Sequence, residues 1–463
     1  MTLTLRDLLG VHHLAAGNLD ALAKKRLAGV STDSRNVRPG EVFFALRGGA
    51  LDGHAFVRRA FEAGALCAVV DEKADRSSYG DRPYLVVRDT TKALGDLAAL
   101  WRGKFDIPVI AIAGSNGKTT TKEMTTRVLR TKYAVHSTRG NLNNHIGVPQ
   151  TIFGLSSRHE VAVLELGTNH FGELGYLCGI ARPTHGLITN IGREHLEFFG
   201  DLDGVARAEG ELFGALGASG TGIVNADDPR IALMGRKLRK RMTYGFSRKG
   251  VGVHGKHLSS DGRGRASFLA EPKGRKSFTV RVNVPGVHAM TNALAAAAVG
   301  TMFGVSPAGI RRALGAFTAV DKRMQVRSSG GITIINDTYN ANPDSVISAL
   351  ETLRSMKCTG RRIAILADML ELGAASEKEH GRIGALVGEM GIDCLLTYGK
   401  AARSIHDSAR VRVKRHYERK DVLAASALDL VAQGDIVLVK GSRGMKMEEV
   451  VHRMQERLEG KMK

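Results

Sequence analysis

Short runs of consecutive apolar residues alternate along the chain with longer segments in which apolar residues recur every three or four positions. The short runs predict strands buried on both faces, and the longer segments predict amphipathic helices. In the first hundred residues, strands are predicted at 42–46, 66–70 and 84–87, and helices at 54–64 and 91–105. This alternation is typical of an α/β fold.

The same pattern continues after a break at Asp106-Ile107-Pro108. A strand at 109–113 runs into a Gly-rich turn and a helix at 119–131. The later elements are predicted strands at 161–166, 186–190, 222–225, 332–336, 362–367, 394–398 and 435–440, and an Ala-rich helix at 292–302. We therefore predict three domains, at 1–103, 104–320 and 321–463. The central one contains a parallel sheet, and the last one is Rossmann-like.

The length of 463 residues suits three domains of roughly 150 residues each. The four cysteines do not form a C-x-x-C pair, which indicates reduced thiols in a cytosol. The first 20 residues lack a basic stretch followed by an apolar core, and no apolar run approaches the roughly 18 to 20 residues of a membrane span. We expect a cytoplasmic protein without a membrane span.

The net charge of +21 is concentrated in one segment. Residues 236–281 hold 14 Lys and Arg against 2 Asp and Glu. Such a surplus is compatible with binding to nucleic acid or another anionic surface, or with a solvated hairpin. Because the segment contains no RNA-binding signature, we favour the solvated hairpin and expect no nucleic-acid partner.

The strongest local motif lies between the strand at 109–113 and the following helix. It reads Gly114-Ser115-Asn116-Gly117-Lys118-Thr119-Thr120. Glycines allow backbone N–H groups to approach phosphate oxygens, and the helix N-terminus adds positive potential. Lys118 supplies a charge for the β- and γ-phosphates and Thr119 a hydroxyl for Mg²⁺. Ile112 stands where the full-length phosphate-loop pattern has its first glycine, so this loop is a shortened variant; the alternative is an ordinary strand–helix turn.

Two more candidates lie at the ends of buried strands. Glu165 stands in the apolar strand at 161–166, where a carboxylate is costly unless it is paired or binds a metal. His195 follows the strand at 186–190. Ligands of doubly wound sheets bind beyond the carboxyl ends of the strands. Glu165 therefore suits a second Mg²⁺ ligand, and His195 is either a ligand or a loop histidine.

A run of hydrogen-bonding residues follows the first strand of the last domain. It extends from Asn336 to Ser345 and includes Asp337, Tyr339, Asn340 and Asn342. Such a run is typical of a ligand-binding loop or of a turn with a helix cap. The residues alone leave both interpretations open.

In this order, the segments resemble the Mur ligase family over nearly the whole chain. The resemblance also rests on segments 31–35, 42–48, 52–54, 140–149, 285–292 and 440–443. It implies a uridine-nucleotide-binding first domain, a central ATP-binding domain and a last domain on the acceptor side. Within the family, the chain is most similar to the ligases that use ATP and Mg²⁺ to join D-alanyl-D-alanine to UDP-N-acetylmuramoyl-tripeptide through an acyl phosphate. We expect a monomer.

The resemblance also implies roles for individual residues. Lys118, His195 and Glu165 would be catalytic. ATP would contact Gly114, Ser115, Asn116, Gly117, Lys118, Thr119, Thr120, His288, Asn292, Arg323 and Asp337. The metal would contact Thr119, Glu165, His195 and Glu209. The UDP-linked substrate would contact Ser34, Arg35, Ala45, Leu46, Gly48, Asn141 and Asn144. The dipeptide would contact Tyr339, Asn340 and Asn342.

Two alternatives remain, another amino-acid ligase of the same family and a phosphate-loop switch that binds nucleic acid through the basic segment. The ligases that add the third residue carry an Asp-Asn-Pro-Arg signature in their last domain, where this chain reads Asn340 to Asp344. The uridine-domain resemblance argues against the switch. The tripeptide's third residue, diaminopimelate or lysine, is not specified by the sequence.

Four residues, at three places in the chain, depart from the family pattern. Lys322 occupies the place of a hinge glycine, and Arg193 and Glu194 stand where small residues are commoner. Glu209 replaces a lysine that, in many members, is carbamylated and becomes a carboxylate-like metal ligand. We expect Glu209 to replace that carbamate directly.

Overall fold

The computed structural model describes residues 3–19, 24–49, 51–77 and 79–460, without the side chains of 459 and 460. These residues form three separate β-sheets with helices packed on their faces. Most neighbouring strands in each sheet are parallel. The predicted α/β class, with its three sheet-containing units, is confirmed.

The first sheet consists of β1 (Ala15–Gly17), β2 (Gly29–Ser31), β3 (Glu41–Phe44), β4 (Cys67–Asp71) and β5 (Tyr84–Val87). Their order is β1-β5-β4-β3-β2, with β1 antiparallel to β5. The helices of this part are α1 (Leu5–Leu9), a 3-10 helix (Gly53–Phe56), α2 (Val57–Glu62) and α3 (Thr90–Arg102).

The second sheet contains nine strands, β6 (Val109–Ala113), β7 (Val135–Ser137), β8 (Val161–Glu165), β9 (His185–Ile188), β10 (Thr221–Asn225), β11 (Lys240–Gly245), β12 (Val253–Ser260), β13 (Arg265–Pro272) and β14 (Phe278–Pro285). Their order is β14-β13-β12-β11-β10-β9-β6-β8-β7. Its helices are α4 (Lys118–Leu129), α5 (Gly147–Phe153), α6 (Glu173–Ala181), α7 (Leu196–Phe199), α8 (Leu202–Gly214), α9 (Pro229–Gly235), α10 (Val287–Met302) and α11 (Pro307–Gly315). Strand β6 lies between β8 and β9, which brings the loops after these three strands together.

The third sheet contains β15 (Gln325–Ser329), β16 (Ile332–Asp337), β17 (Arg362–Ala367), β18 (Cys394–Tyr398), β19 (Val413–Tyr417) and β20 (Ile436–Lys440). Their order is β15-β16-β20-β17-β18-β19. The remaining helices are α12 (Pro343–Ser355), a 3-10 helix (Gly373–Ala375), α13 (Ser376–Glu389), α14 (Ala402–Ser408), α15 (Lys420–Leu430), a 3-10 helix (Arg443–Met445) and α16 (Glu448–Gly460).

Apolar cores extend across the boundaries between the sheets. One core joins residues of the first sheet to residues of the second, and α3 packs against α5 and α6. Another core joins α7 and α8 of the second unit to β16, β17 and α12 of the third. Since burial of apolar surface drives this packing, the shared cores fix the positions of the loops at the sheet ends relative to one another.

The basic segment does not interrupt the central sheet, as the sequence suggested, but extends it through β11 to β14. The alternating burial along β13 and β14 shows why: one face packs on α10 and the other faces solvent. Of its charged side chains, Arg265 is half-buried and pairs with Asp261 at 2.7 Å, so it is structural.

All four cysteines, Cys67, Cys178, Cys358 and Cys394, are free. Burial raises the pKa of the Cys178 thiol to about 12, and it also raises the pKa of Cys67. Over the ranges that the structure describes, no helix is long and apolar enough to cross a membrane.

Candidate active site

A cavity of about 1000 Å³ is lined by residues that follow strands of both the second and the third sheet. Most of the predicted site residues face it. They are Ser115, Asn116, Gly117, Lys118, Thr119, Thr120, Asn144, Glu165, His195, His288, Asn292, Arg323, Asp337, Tyr339, Asn340 and Asn342. Residues separated by more than 200 positions in sequence therefore share one site.

The other predicted residues do not line this cavity. Gly114 is the first residue of the phosphate loop, and Glu209 lies beneath it. Glu209 is 1% exposed, and its Oε2 accepts a hydrogen bond from Gly114 N at 2.7 Å. Asn141 is exposed. The five residues assigned to the uridine nucleotide, Ser34, Arg35, Ala45, Leu46 and Gly48, follow β2 and β3 of the first sheet.

The phosphate loop has the backbone conformation that its glycines permit. Gly114 and Gly117 have φ of +113° and +83°, in the region that favours glycine. A Cβ at Gly114 would meet Thr189 Oγ1 at 2.4 Å, and one at Gly117 would meet Asn292 at 2.7 Å. Helix α4 begins at Lys118, so its first N–H groups and its positive end point toward the loop. This arrangement is suited to phosphate.

Lys118 is the cation of the loop. Its side chain is 16% exposed, and its Nζ donates to Gly114 O at 2.5 Å and lies 3.4 Å from Glu194 Oε2. Burial by itself would lower the pKa of Lys118, but Glu194, Glu209 and Glu165 outweigh it and raise the pKa. The ammonium therefore stays charged, as neutralisation of phosphate requires.

Two oxygens suitable for a hard cation lie beside Lys118. Glu165 is 1% exposed, and its Oε1 accepts a hydrogen bond from Asn143 Nδ2 at 2.8 Å. Its Oε2 and the hydroxyl of Thr119 are buried and have no hydrogen-bond partner among the residues described. Buried oxygens without a hydrogen-bond partner are typical of a ligand or metal site.

Glu209 is also buried against the loop instead of lying on a solvated helix face. Burial raises its pKa, Lys118 opposes that rise, and the neighbouring Glu194 carboxylate adds to it. Its Oε1 is unpartnered in the described part of the chain. Two neighbouring buried carboxylates repel each other, and a bound cation would offset that repulsion.

His195 adopts a left-handed backbone conformation, with φ of 48°, at the start of α7. Its Nδ1 lies 2.6 Å from Glu371 Oε2, and this contact lowers the pKa of the Glu371 carboxyl, which burial opposes. Its Nε2 lies 3.9 Å from Glu194 Oε2. The imidazole therefore links the phosphate-loop side of the cavity to a loop of the third sheet.

The third sheet contributes a rigid acidic position and an aromatic surface. Asp337 accepts a hydrogen bond from Met324 N at 3.0 Å and pairs with Lys440 Nζ at 2.6 Å, where Lys440 is buried. The Arg323 guanidinium lies 3.7 Å from the centroid of the Tyr339 ring, a cation–π contact. These side chains stand where a nucleotide sugar or phosphate could contact them.

Asn342 caps a helix and also belongs to the loop that borders the cavity, so both possibilities that the sequence left open apply to it. Its Oδ1 accepts a hydrogen bond from Ser345 N and caps α12, whereas its Nδ2 donates to Asn116 Oδ1 at 2.9 Å. Because Asn116 belongs to the phosphate loop, this bond ties the third sheet to the loop. Asn340 is more exposed, and its Oδ1 accepts from Arg443 N.

Arg193 makes a second contact between the second and the third units. Its backbone N and its Nη1 donate to the two oxygens of Asp344, at 2.6 and 2.7 Å. Its Nε lies 3.6 Å from Glu379 Oε1. Arg193 belongs to the loop after β9, and both acids belong to helices of the third sheet, so this ion pair joins the two units.

Lys322 takes the strained place that the family pattern gives to glycine. Its φ is 59°, which costs a non-glycine residue roughly 1 kcal/mol. Its carbonyl accepts from Tyr339 N at 3.1 Å and its Nζ pairs with Glu448 at 2.9 Å. These contacts offset the strain and hold the connection to the third sheet.

Four further residues line the cavity although the sequence did not indicate them as site residues, namely Asn143, Glu194, Asp344 and Lys440. Lys440 and Glu194 each lie just beyond or at the end of a buried strand, a position that signals a ligand site. For Asp344 and Asn143, only the folded chain reveals the partners.

Three family profiles match the chain. They are described as Mur ligase family, catalytic domain (residues 26–102), Mur ligase middle domain (112–300) and Mur ligase, glutamate ligase domain (322–443).

Curated relatives align over almost the full length of the chain. A protein of Escherichia coli (strain K12) named UDP-N-acetylmuramoyl-tripeptide–D-alanyl-D-alanine ligase is 37% identical over 437 residues, 93% of this chain and 94% of that one. The protein of that name from Bacillus subtilis (strain 168) is 35% identical over 436 residues, 91% and 92% of the two chains.

Solved structures agree with these alignments. A crystal structure of MurF from Acinetobacter baumannii superposes with a TM-score of 0.90 at 31% identity and covers 98% of this chain and 99% of that one. The structure of MurF ligase from Thermotoga maritima in complex with ADP gives 0.83 at 28% identity, covering 94% and 98%.

Proposed function

Because the chain belongs to the Mur ligase family, we propose that it is an ATP-dependent ligase that joins D-alanyl-D-alanine to UDP-N-acetylmuramoyl-tripeptide, a step of peptidoglycan precursor synthesis. The observation that carries this proposal is the single cavity in which the phosphate loop of the second sheet meets Arg323, Asp337 and Tyr339 of the third. The two relatives of this name described above align over more than nine tenths of both chains. This bond formation takes place in the cytoplasm.

The three sheets divide the substrates among them. Residues 1–103 hold the uridine nucleotide beyond the carboxyl ends of β2 and β3, where Ser34, Arg35, Ala45, Leu46 and Gly48 lie. Residues 104–320 bind ATP, and residues 321–463 bind the dipeptide. Gln150 Nε2 donates to Thr32 Oγ1 at 2.8 Å, so the first two units are tied beside the path of the UDP-linked substrate.

The reaction has two steps. A carboxylate oxygen of the muramoyl-tripeptide attacks the γ-phosphorus of ATP, and the bond from that phosphorus to the bridging β-phosphate oxygen breaks. The products of this step are ADP and an acyl phosphate. The amine of D-alanyl-D-alanine then attacks the acyl carbon, loses a proton and expels inorganic phosphate. Such a phosphoryl transfer needs in-line positioning and charge neutralisation more than covalent help.

Residues of the phosphate loop supply that neutralisation. The N–H groups at the start of α4 and the Lys118 ammonium surround the place of the β- and γ-phosphates. On the far side, Asn292 and His288 of α10 contact the nucleoside, while Arg323 and Asp337 approach from the third sheet. Lys440 pairs with Asp337 at 2.6 Å and holds its carboxylate in position.

The residues present fit Mg²⁺. Thr119 Oγ1, Glu165 Oε2 and Glu209 Oε1 are buried oxygens without a hydrogen-bond partner in the described ranges, and oxygen is the donor that Mg²⁺ prefers. No group of three His, Cys, Asp or Glu in the described residues could hold a metal alone, so phosphate and water oxygens would complete the coordination. We assign Thr119, Glu165, His195 and Glu209 to the metal. When bound, Mg²⁺ offsets the charge that phosphoryl transfer moves.

The dipeptide lies on the side of Tyr339 and Asn340. Asn342 acts mainly through its cap of α12 and its bond to Asn116, since its amide is engaged by both. The contacts of Arg193 and Asn342 across the cavity hold the two units together while the acyl phosphate exists. Excluding water protects this intermediate from hydrolysis.

The test is phosphate release from ATP over a panel of substrates. UDP-muramoyl-peptides ending in D-glutamate, diaminopimelate or lysine are each combined with single amino acids or D-alanyl-D-alanine. We expect turnover only with a tripeptide and the dipeptide. Turnover with a dipeptide-linked substrate and a single amino acid would assign the chain to another reaction of the family, and RNA-stimulated hydrolysis would favour the nucleic-acid switch.

Lys118→Ala tests the site itself. We expect a loss of turnover of at least about a hundredfold because the cation of the loop is removed. The matched control is Arg130→Ala, which removes an exposed cation at the far end of the same helix. Wild-type-like turnover by a folded Lys118→Ala protein would refute the assignment.

A further inference from the structure

The Glu194 carboxylate is a buried charge that the scheme above does not use. Glu194 is 6% exposed, follows β9 and lines the cavity beside the phosphate loop. Its Oε2 lies 3.4 Å from Lys118 Nζ. Its Oε1 is buried and has no hydrogen-bond partner among the described residues.

Three carboxylates surround one ammonium at this place. Glu165, Glu194 and Glu209 each have one oxygen that faces a donor and one buried oxygen that faces none in the described chain. Lys118 is the cation that all three share. Ionised, the three acids exceed the charge of Lys118 by two, and buried charges require compensation.

The ammonium of Lys118 alone does not compensate the charge of the Glu194 carboxylate. Its ammonium already donates to Gly114 O at 2.5 Å, and the 3.4 Å distance to Glu194 is longer than the roughly 2.7 to 2.9 Å of a good charge-assisted hydrogen bond. When a triphosphate binds to the loop, Glu194 becomes a negative charge next to phosphate. That contact is repulsive unless a cation lies between them.

The surroundings of Glu194 provide more than an acidic cluster. The hydroxyl of Thr119, 4% exposed, also lines the cavity and has no partner in the described ranges. His195 turns its Nε2 toward Glu194 Oε2, 3.9 Å away. Two ligands of one octahedral Mg²⁺ lie about 3 Å apart when adjacent and about 4 Å when opposite, so one ion can reach both groups.

We propose that Glu194 is an additional ligand of the divalent cation that bridges the nucleotide phosphates, beside His195. Its carboxylate oxygen supplies the hard donor that the imidazole lacks. The proposal rests on the nucleotide and metal site of the proposed function, but not on which peptide is joined.

The experiment measures Mn²⁺, a paramagnetic substitute for Mg²⁺, bound to the full-length chain with the β,γ-imido analogue of ATP. Free Mn²⁺ is quantified by electron paramagnetic resonance for the wild type, Glu194→Gln and Glu197→Gln. Glu197 is the matched control because it is an exposed glutamate only three residues further along the chain, in α7. We expect Glu194→Gln to weaken one Mn²⁺ site at least tenfold and Glu197→Gln to match the wild type.

Two results would overturn the proposal. One is a folded Glu194→Gln protein with the wild-type number and affinity of Mn²⁺ sites. The other is weaker binding of the ATP analogue with unchanged Mn²⁺ affinity, since this would make Glu194 only a partner of Lys118. Removing a buried negative charge should not unfold the chain, and Glu194→Ser repeats the titration if the glutamine variant does not fold.

The ligation assay on the same preparations tests the proposed function separately. If the wild type ligates neither dipeptide nor amino acid, but Glu194→Gln loses an Mn²⁺ site, the function is refuted and the ligand assignment stands. If the wild type ligates the dipeptide and Glu194→Gln leaves Mn²⁺ binding unchanged, the proposed function stands and the assignment of Glu194 as a ligand is refuted.

Discussion

The ion pair between Arg193 and Asp344 should hold the second and third sheets together across the nucleotide. Asp344 receives two charge-assisted hydrogen bonds, from Arg193 N at 2.6 Å and Arg193 Nη1 at 2.7 Å. Both side chains are 30% exposed, so solvent screens the pair less than an open surface pair. We expect a coupling of about 1.5 kcal/mol, in the range of hydrogen bonds to charged groups.

A double-mutant cycle isolates this coupling. Arg193→Met and Asp344→Asn are made singly and together, and the affinity for the β,γ-imido analogue of ATP is measured by calorimetry. The cycle cancels the effect of Asp344 on the first turn of α12, where an acidic residue also stabilises the helix. Since 1.4 kcal/mol corresponds to a factor of ten, each single variant should bind the analogue up to about tenfold more weakly.

The matched control is the Arg230–Asp203 pair, which lies within the second unit. Its atoms are 2.9 Å apart, but Asp203 is 80% exposed, and such pairs contribute about 0.5 kcal/mol or less to stability. Removing it should leave nucleotide affinity unchanged. If the Arg193–Asp344 cycle is additive within about 0.3 kcal/mol, the pair does not stabilise the nucleotide-bound arrangement and the reasoning fails.

Three further predictions concern other parts of the chain. Glu209→Gln should cut kcat at least tenfold, because the amide can still accept a hydrogen bond from Gly114 N but carries no charge. Bicarbonate should not stimulate the wild type. A Glu209→Gln enzyme with normal kcat would contradict the metal assignment. Burial lowers the pKa of His185 to about 4. In the unfolded chain the pKa of His185 is near 6.5, so between pH 6.5 and pH 4 the unfolded chain binds a proton there and the folded chain does not. The stability of the folded chain is therefore complete above pH 6.5 and is lost as the pH falls toward 4. In urea unfolding the wild type should lose about 2 kcal/mol more than His185→Gln between pH 7 and 5, and equal losses would contradict this. Neutralising four exposed charges of the basic segment should change kcat less than twofold, and a large loss would indicate a functional surface; the four are Lys237, Arg239, Lys249 and Arg263.

Much of the fold follows from local pattern. The strands at Val109–Ala113 and Arg362–Ala367 and the glycine-rich loop before α4 are evident in the sequence, because continuous apolar runs and glycines report directly on burial and backbone freedom. Strands with mixed polarity were less evident. The edge strand β19 and the strands of the basic segment alternate or lack apolar residues, and one face of each meets solvent.

The sequence by itself determined which chemistry the site contains. Lys118, Thr119 and Glu165 are recognisable because a phosphate loop and a carboxylate in a buried strand leave local signatures. The resemblance added Arg323, whose own surroundings in sequence carry no such signature, and it assigned Asp337 of the hydrogen-bonding run to ATP.

Only the tertiary structure decided how these groups meet. The approach of Glu194 and Glu209 to Lys118, and the ion pair of Arg193 with Asp344, join positions that lie far apart in the chain. These contacts depend on strand order and on apolar cores shared between sheets. Such long-range packing is a property of the whole fold, so no local pattern of polar and apolar residues could encode it.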